Sequence, residues 1–425
     1  MNKSINQGSF IKEEEVNMES NNLIVSDRKN VFIELELISS KLKSLNPEIK
    51  PVEAISKSQE WKNLPKNMNN KLHTICSYMA MFPPTLPNYF IEQYSNEGDI
   101  VLDTFSGRGT TILEACLLNR VGIGNDLNPL AFVLTKAKSN VPQKSRVISR
   151  INELEREYEK MQDVNIKDEE EKVRMIFSDY SLKQLVFLKN KLDWRSSNVD
   201  TFVTALLLGI LHGKSDGYLS LSMPNTFSMS PNYVKNYIAQ HGLVKPKRNA
   251  FDLLKRKLER CYQRPEQRGK TYRQDARKIT RVKDSSVDLI VTSPPYTKVI
   301  RYGQFNWIRL WFLGEDCKEV DKDLFFSQSI PKYCAFMTEV LTDMKRVLKD
   351  GAKAVLVIGD VRQRETEKIE NLAKIVWERC AEPLGFRLVE PIIADEIGDS
   401  TKVSKIWGQK KGNATKIDRV LILER

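Results

Sequence analysis

The chain has 425 residues, 41% of them hydrophobic, with a formal net charge of +12 and a sequence pI near 9.2. That is enough for one large α/β domain with an inserted or appended module. The longest apolar stretch, Phe202 to Leu211, is about half of what a membrane span needs. The six cysteines form no Cys-x-x-Cys pair and there are three histidines, which argues against a zinc site or a disulfide framework. The polar, acidic amino terminus (Lys12-Glu13-Glu14-Glu15) is not a signal peptide, so a soluble cytoplasmic protein is expected.

Residues 1–27 are polar enough to predict disorder. Val31, Phe32, Leu35, Ile38, Leu42 and Leu45 fall at helical spacing and predict an amphipathic helix over 28–46, ended by Asn46-Pro47. A polar linker follows to about residue 70. The segment Met81-Phe82-Pro83-Pro84 then leads into a predicted helix at 88–95.

Residues 99–127 carry a nucleoside-binding layout. Asp99 to Phe105 reads as a buried strand, Ser106-Gly107-Arg108-Gly109 as a turn, Thr110 to Asn119 as a helix and Val121 to Leu127 as a second strand. Gly107 and Gly109 let a ligand approach the backbone closely. The N–H groups at the helix start favour an anionic group. Asp126, ending the second strand, is placed to accept from ribose hydroxyls. It is not the dinucleotide fingerprint, because Ile112 stands where the third glycine would be, and no Gly-Lys-Ser/Thr marks a P-loop.

Residues 141–269 interrupt this alternation. Helices are predicted at 146–176, 181–193, 201–212 and 250–262, around an irregular loop at 217–233 rich in Ser, Asn, Pro and aromatics. From His241 to Lys283 there are fifteen Lys/Arg against four Asp/Glu, nearly the whole charge imbalance. Neutralising phosphates is the usual use of such a surplus, with Lys245, Lys247, Arg248, Arg256 and Lys257 as candidate DNA contacts. The alternative is a solvated helix face.

The strand–helix alternation resumes at Lys270. A third strand is predicted at 271–275, where Asp275 either faces the cofactor crevice or forms a surface ion pair. The apolar run Val287–Val291 then meets Thr292-Ser293-Pro294-Pro295-Tyr296. Two prolines end a strand, because they cannot donate to its ladder, and stiffen the loop beyond its carboxyl end. Ligands of open α/β sheets sit in that crevice. The loop offers a hydroxyl, proline carbonyls and an aromatic face, which suit a flat heterocycle bearing an exocyclic amino group. Helices are predicted at 303–313, 333–349 and 365–381, and strands at 352–358, 386–393 and 419–423.

The Ser-Pro-Pro-Tyr loop and the Asp103-x-Phe105-x-Gly107-x-Gly109-Thr110-Thr111 turn together resemble the amino-methyltransferases that methylate adenine N6 or cytosine N4 in DNA. The serine form looks most like the N4-cytosine enzymes of restriction–modification systems. The resemblance covers 71–140 and 270–425. It implies a class I S-adenosylmethionine-dependent methyltransferase fold: a seven-stranded, mostly parallel sheet, helices on both faces and a final antiparallel strand. The expected organisation is an arm at 1–70, a core at 71–140 and 270–425, and a basic, mainly helical DNA-recognition insert at 141–269.

Carried over by motif, Ser293, Pro294, Pro295 and Tyr296 are the catalytic loop. Asp103, Phe105, Gly107, Gly109, Thr110, Asp126 and Asp275 are the S-adenosylmethionine site, Asp275 through the adenine amino group. Pro84 would border the methionine end. No metal is implied. Ser293 and the Pro294 carbonyl would accept from the target amino group of a base flipped out of double-stranded DNA, with Tyr296 stacked on it. The C5-cytosine enzymes place a nucleophilic cysteine in a Pro-Cys dipeptide, and none occurs here. N6-adenine methylation, RNA methylation and a catalytically dead DNA-binding protein are the competing functions. A restriction endonuclease acting on the same site, without a stable complex, is the further partner this family implies.

Overall fold

The computed structural model describes residues 60–64, 70–79, 83–223, 225, 227–296, 301–362, 369–396 and 414–425. The predicted helix at 28–46, and most of the arm, lie outside the described residues.

The polypeptide builds the strands β1 (Ile100–Asp103), β2 (Val121–Asn125), β3 (Lys270–Tyr272), β4 (Val287–Thr292), β5 (Leu348–Arg362), β6 (Ile369–Glu370), β7 (Arg387–Leu388), β8 (Ile393–Glu396) and β9 (Ala414–Glu424). The sheet runs β3-β2-β1-β4-β5-β9-β7, with β6 paired to β5 and β8 to β9. The first five positions are parallel, and β9 is antiparallel to β5. Chain order reverses between β1 and β4, which opens a crevice beyond their carboxyl ends. This is the expected seven-position methyltransferase sheet, with two short strands added at its margin. One of these, β6, stands inside the helix predicted at 365–381. The chain turns helical only from Leu372, so that prediction began too early.

The helices are α1 (Thr85–Tyr94), α2 (Thr110–Leu117), α3 (Pro129–Ser139), α4 (Lys144–Glu159), α5 (Glu171–Arg174), α6 (Asp179–Lys191), α7 (Asn198–Leu208), α8 (Pro231–His241), α9 (Ala250–Cys261), α10 (Trp307–Leu313), α11 (Cys317–Asp323), α12 (Ile330–Val347) and α13 (Leu372–Val376). Among the described residues no helix is long and apolar enough to cross a membrane. The six cysteines are free thiols. The helix predicted over 146–176 is two helices, α4 and α5.

β2 is thin so that helices can close on it. A Cβ on Gly124 would stand 2.4 Å from Thr135 Cγ2 of α3 and 3.0 Å from Ile112 Cγ1 of α2. Asn128 caps α3 by accepting from the Leu130 N–H, and Pro129 occupies the first helical position. These choices place the turns after β1 and β2 side by side.

Residues 141–269 share one apolar cluster with α3 and α10. Phe202, Leu206 and Leu207 of α7 pack in the same buried cluster as Leu130, Val133 and Leu134 of α3, Phe251 and Leu254 of α9, and Trp307 and Leu310 of α10. A helical layer fused to α3, which itself closes on β2, should unfold with the sheet rather than before it. Phe202→Ala should therefore cost about 3–5 kcal/mol and shift a single denaturation transition. A second, separately moving transition in guanidinium melts would contradict the shared core.

Candidate active site

Two loops that are far apart in sequence meet at the β1/β4 junction. Thr292 Oγ1 donates to Asp103 Oδ1 at 2.6 Å. Phe105 N–H donates to Asp103 Oδ1 at 3.1 Å and to Thr292 Oγ1 at 3.2 Å. The last residue of β4 and the last residue of β1 are thus joined through buried side chains. The glycine turn and the Ser-Pro-Pro-Tyr loop leave the sheet from that joint.

The glycine turn is held from several sides. Gly107 (φ 50°) and Gly109 (φ 75°) both lie in the left-handed region, and Gly109 caps α2. A Cβ at Gly109 would meet Thr135 Cα at 2.9 Å. Arg108 donates from Nη1 to the His73 carbonyl (3.1 Å) and from Nε to Thr110 Oγ1 (3.1 Å), while the buried Lys138 ammonium donates to the Arg108 carbonyl. Behind α2, Glu114 accepts from Asn88 (2.9 Å) and shares a 2.6 Å hydrogen bond with His73, whose pKa burial lowers.

Asp126 accepts from Gly107 N–H at 2.8 Å and from Asn128 N–H at 2.9 Å, so the end of β2 grips the turn after β1. Burial raises the carboxyl to about 6. Asn125 bridges the adjoining loops, donating to the Thr104 and Gln274 carbonyls at 3.3 and 2.9 Å.

The walls enclose a cavity of about 400 Å³. Asp103, Phe105, Gly107, Thr110, Asp126, Asp275, Ser293 and Pro295 line it. Gly109, Pro294, Tyr296 and Pro84 do not. Gly109 acts through the helix cap, and Pro84 precedes α1 as its cap residue. Asp275 combines both readings open to it: it borders the cavity and also pairs with Arg277 at 2.6 Å, which holds its carboxyl below the usual range.

Ser293 Oγ donates to the Val357 carbonyl of β5 at 3.0 Å and lies 3.1 Å from the Tyr296 hydroxyl. With its proton committed to β5, the serine oxygen is left as an acceptor. The Tyr296 ring turns toward β5 rather than into the cavity. It fits there because residue 359 is glycine: a Cβ at that position would stand 2.9 Å from Tyr296 Cε2.

Aromatic walls that no motif announces complete the cavity. Tyr78 and Tyr302 stack at 5.9 Å and 23°, and Phe325 stacks on Phe336 at 4.0 Å. Tyr78 accepts from Asn128 Nδ2 at 3.2 Å. Thr292 was also missed, although it immediately precedes the proline motif. These side chains come from segments with no spacing rule linking them, so only the fold assembles them.

A family model described as DNA methylase, spanning N6 and N4 enzymes, matches residues 10–137 and 287–419, more than half of the chain. The chain belongs to this DNA methylase family. The Type II methyltransferase M.BsoBI of Geobacillus stearothermophilus is 23% identical over 287 residues, covering 60% of this chain and 55% of that protein. The Type II methyltransferase M.MvaI of Kocuria varians is 25% identical over 265 residues, covering 56% and 57%. The chain therefore spans a little over half the length of these relatives. A solved methyltransferase from Methanosarcina mazei overlaps 82% of this chain and 99% of its own at 13% identity and a TM-score of 0.32. The strand order, rather than that loose overlap, identifies the fold.

The candidate basic residues divide into two groups. Lys245, Lys247 and Arg256 are exposed. Lys245 donates to the Arg174 carbonyl at 3.1 Å, and Lys247 lies 4.9 Å from the Tyr180 ring centroid. Lys257 is buried, 8% exposed, and donates to the Thr74 carbonyl at 2.7 Å, so it is not a phosphate contact. Its α9 position belongs to the apolar stripe, and the ammonium serves the backbone there. Arg248 is likewise spent on structure: it pairs with Asp216 at 2.6 Å and donates to the Tyr218 and Ser220 carbonyls.

Burial raises the Asp103 carboxyl to about 7, against about 3.9 in an unfolded chain. A carboxyl raised in the fold binds its proton more tightly folded than unfolded. The fold therefore loses stability as pH rises from about 4 through about 7. Asp103→Asn lacks that dependence. Its stability relative to the native sequence should improve across this window and level off above it, as urea melts at a series of pH values will show. A pH-independent difference would count against the raised carboxyl.

Proposed function

We propose that this chain is an S-adenosylmethionine-dependent DNA methyltransferase acting on an exocyclic amino nitrogen, N4 of cytosine, as the protective enzyme of a restriction–modification system. The observation that carries the reading is the Asp103–Thr292 joint, which brings the glycine turn and the Ser-Pro-Pro-Tyr loop to one cavity.

The cavity suits the cofactor. Asp126 offers carboxylate oxygens for ribose hydroxyls, Phe105 and Phe336 offer apolar faces, and Asp103 and Asp275 add acceptors. Carboxylates that burial has driven upward are eased by a cationic ligand. When bound, S-adenosylmethionine supplies a methyl group on a sulfonium centre.

The protein's own work is orientation. The lone pair of a ring-attached amino group is delocalised, which makes it a poor nucleophile. Ser293 Oγ, whose proton goes to Val357, accepts one amino N–H, and the Pro294 carbonyl accepts the other. Drawing both N–H bonds to fixed acceptors frees the lone pair and aims it. The proton leaves to water, since a serine hydroxyl is too weak a base to keep it. Pro295, which lines the cavity, would form the seat for the flipped base, while Tyr296, turned toward β5, backs the loop.

Cytosine is preferred over adenine on the serine form of the motif. A cognate endonuclease recognising the same sequence would be the functional partner. Nuclease digestion and mass spectrometry of duplex DNA methylated by the protein should yield N4-methylcytosine; N6-methyladenine would overturn the base assignment but keep the chemistry. Ser293→Ala should slow methyl transfer by about 10²-fold while leaving cofactor affinity by calorimetry unchanged. A parallel loss of cofactor affinity would place Ser293 in the cofactor site instead.

A further inference from the structure

We propose that α8 is the helix that reads the target sequence, entering the major groove of duplex DNA with Asn232, Asn236 and Gln240 on base edges. This rests on the duplex-DNA substrate proposed above and names the element that selects its sequence.

The helix is built but hardly buried. Ser230 caps it by accepting from the Tyr233 N–H, Pro231 opens it and Gly242 closes it in the left-handed region. Of its residues only Val234 is buried, and Tyr237 and Ile238 rest partly on the core. Along one flank, Tyr237 stacks on Tyr233 at 5.9 Å and on His241 at 4.0 Å, which stiffens the helix without hiding its outer face.

The side away from Val234 and Ile238 carries Asn232, Lys235, Asn236, Ala239 and Gln240, all exposed. Asn232, Asn236 and Gln240 repeat at the four-residue spacing that aligns side chains on one face. Carboxamides are the side chains that pair bidentately with adenine N6 and N7. Ala239, small and near the carboxyl end of this face, lets the helix axis come close to the groove floor there. At about 1.5 Å per residue the helix is about 16 Å long, and the groove is about 12 Å wide.

Charge agrees with this partner. From Gly217 to Phe251 there is no aspartate or glutamate. Lys235, exposed on the outer face, would meet phosphates. A solvated surface helix ordinarily mixes both signs of charge; an acid-free face of amides and lysines suits a polyanion.

Position agrees as well. The residues leading into α8 are clipped to the segment that follows a wall residue of the cavity. Ser228 N–H donates to the Phe305 carbonyl at 2.8 Å, Ile308 N–H donates to Ser228 Oγ at 3.3 Å and Trp307 Nε1 donates to the Met229 carbonyl at 2.8 Å. Tyr302, only three residues before Phe305, lines the cavity. The helix is therefore referenced to the place where a flipped base would sit.

The test uses the full-length protein, tritiated cofactor and genomic DNA from a methylation-free strain, with modified positions mapped by sequencing. The Asn232→Ala/Asn236→Ala/Gln240→Ala variant should lose about tenfold in rate for each base-edge pair removed, or should spread methylation to sites differing by one base. Cofactor affinity and low-salt binding to random duplex should hold. Ala239→Trp, a bulky substitution on an exposed face, should block methylation without lowering the melting temperature. Methylation of the same sites at the native rate by both variants would overturn the assignment and make α8 a solvated or protein-docking face. If the native protein methylates RNA but no DNA, the substrate reading itself falls, and this inference falls with it.

Discussion

The hydrogen bond from Thr292 to Asp103 is the constraint on which the site depends. Parallel strands of one sheet fix the relative height of β1 and β4, but they leave the loops beyond them free to diverge. A buried hydroxyl–carboxyl pair at 2.6 Å, with Phe105 N–H donating to both partners, removes that freedom. Such a contact is worth more than its average because it is buried and because breaking one side strands the other. The Ser293 hydroxyl is the next residue along. Its orientation toward Val357 follows from β4 lying beside β5. The glycine turn, the Ser293 hydroxyl and the central sheet are therefore one connected polar unit.

That unit is costly to keep when no ligand is present. Asp103 and Asp126 are pushed up to about 7 and about 6 by burial, in spite of several N–H and O–H donors. A protein optimised for stability alone would not place two such groups at one crevice. Their placement makes sense where a ligand brings hydroxyl donors or positive charge to them. The cost falls on the site, and the apolar clusters on the sheet and among the helices supply the stability that tolerates it.

Much of this was legible in the sequence, for identifiable reasons. The two motifs are local, and each has a backbone logic: left-handed glycines at 107 and 109, and a strand stopped by two prolines at 294 and 295. The parallel pairing followed from the alternation of strands and helices, and the seven-stranded arrangement from the family resemblance. What stayed hidden was the direction in which side chains face. Counting lysines treated Lys257 and Arg256 alike. Yet Lys257 lies on the stripe of Leu254, Leu258 and Cys261, while Arg256 lies one position off it and points outward. The helical period could have separated them. Tyr78 and Tyr302 could not have been paired by any such rule, because they are 224 positions apart with no common motif.

The shared core also changes how specificity should be understood. A recognition module on a flexible tether would read sequence in one place while chemistry happened in another, with the linker setting the register. Here α7 and α9 pack with α3 and α10, and the strap before α8 is hydrogen-bonded to residues 305–308. Distance from the reading surface to the cavity is then set by packed side chains, which deform in discrete steps rather than continuously. A base pair misread at the groove would displace the duplex as a body, and the flipped base would miss Ser293 by the same displacement. Discrimination would appear in the rate of transfer as well as in affinity, if orientation of the amino group is the protein's chemical contribution, as proposed.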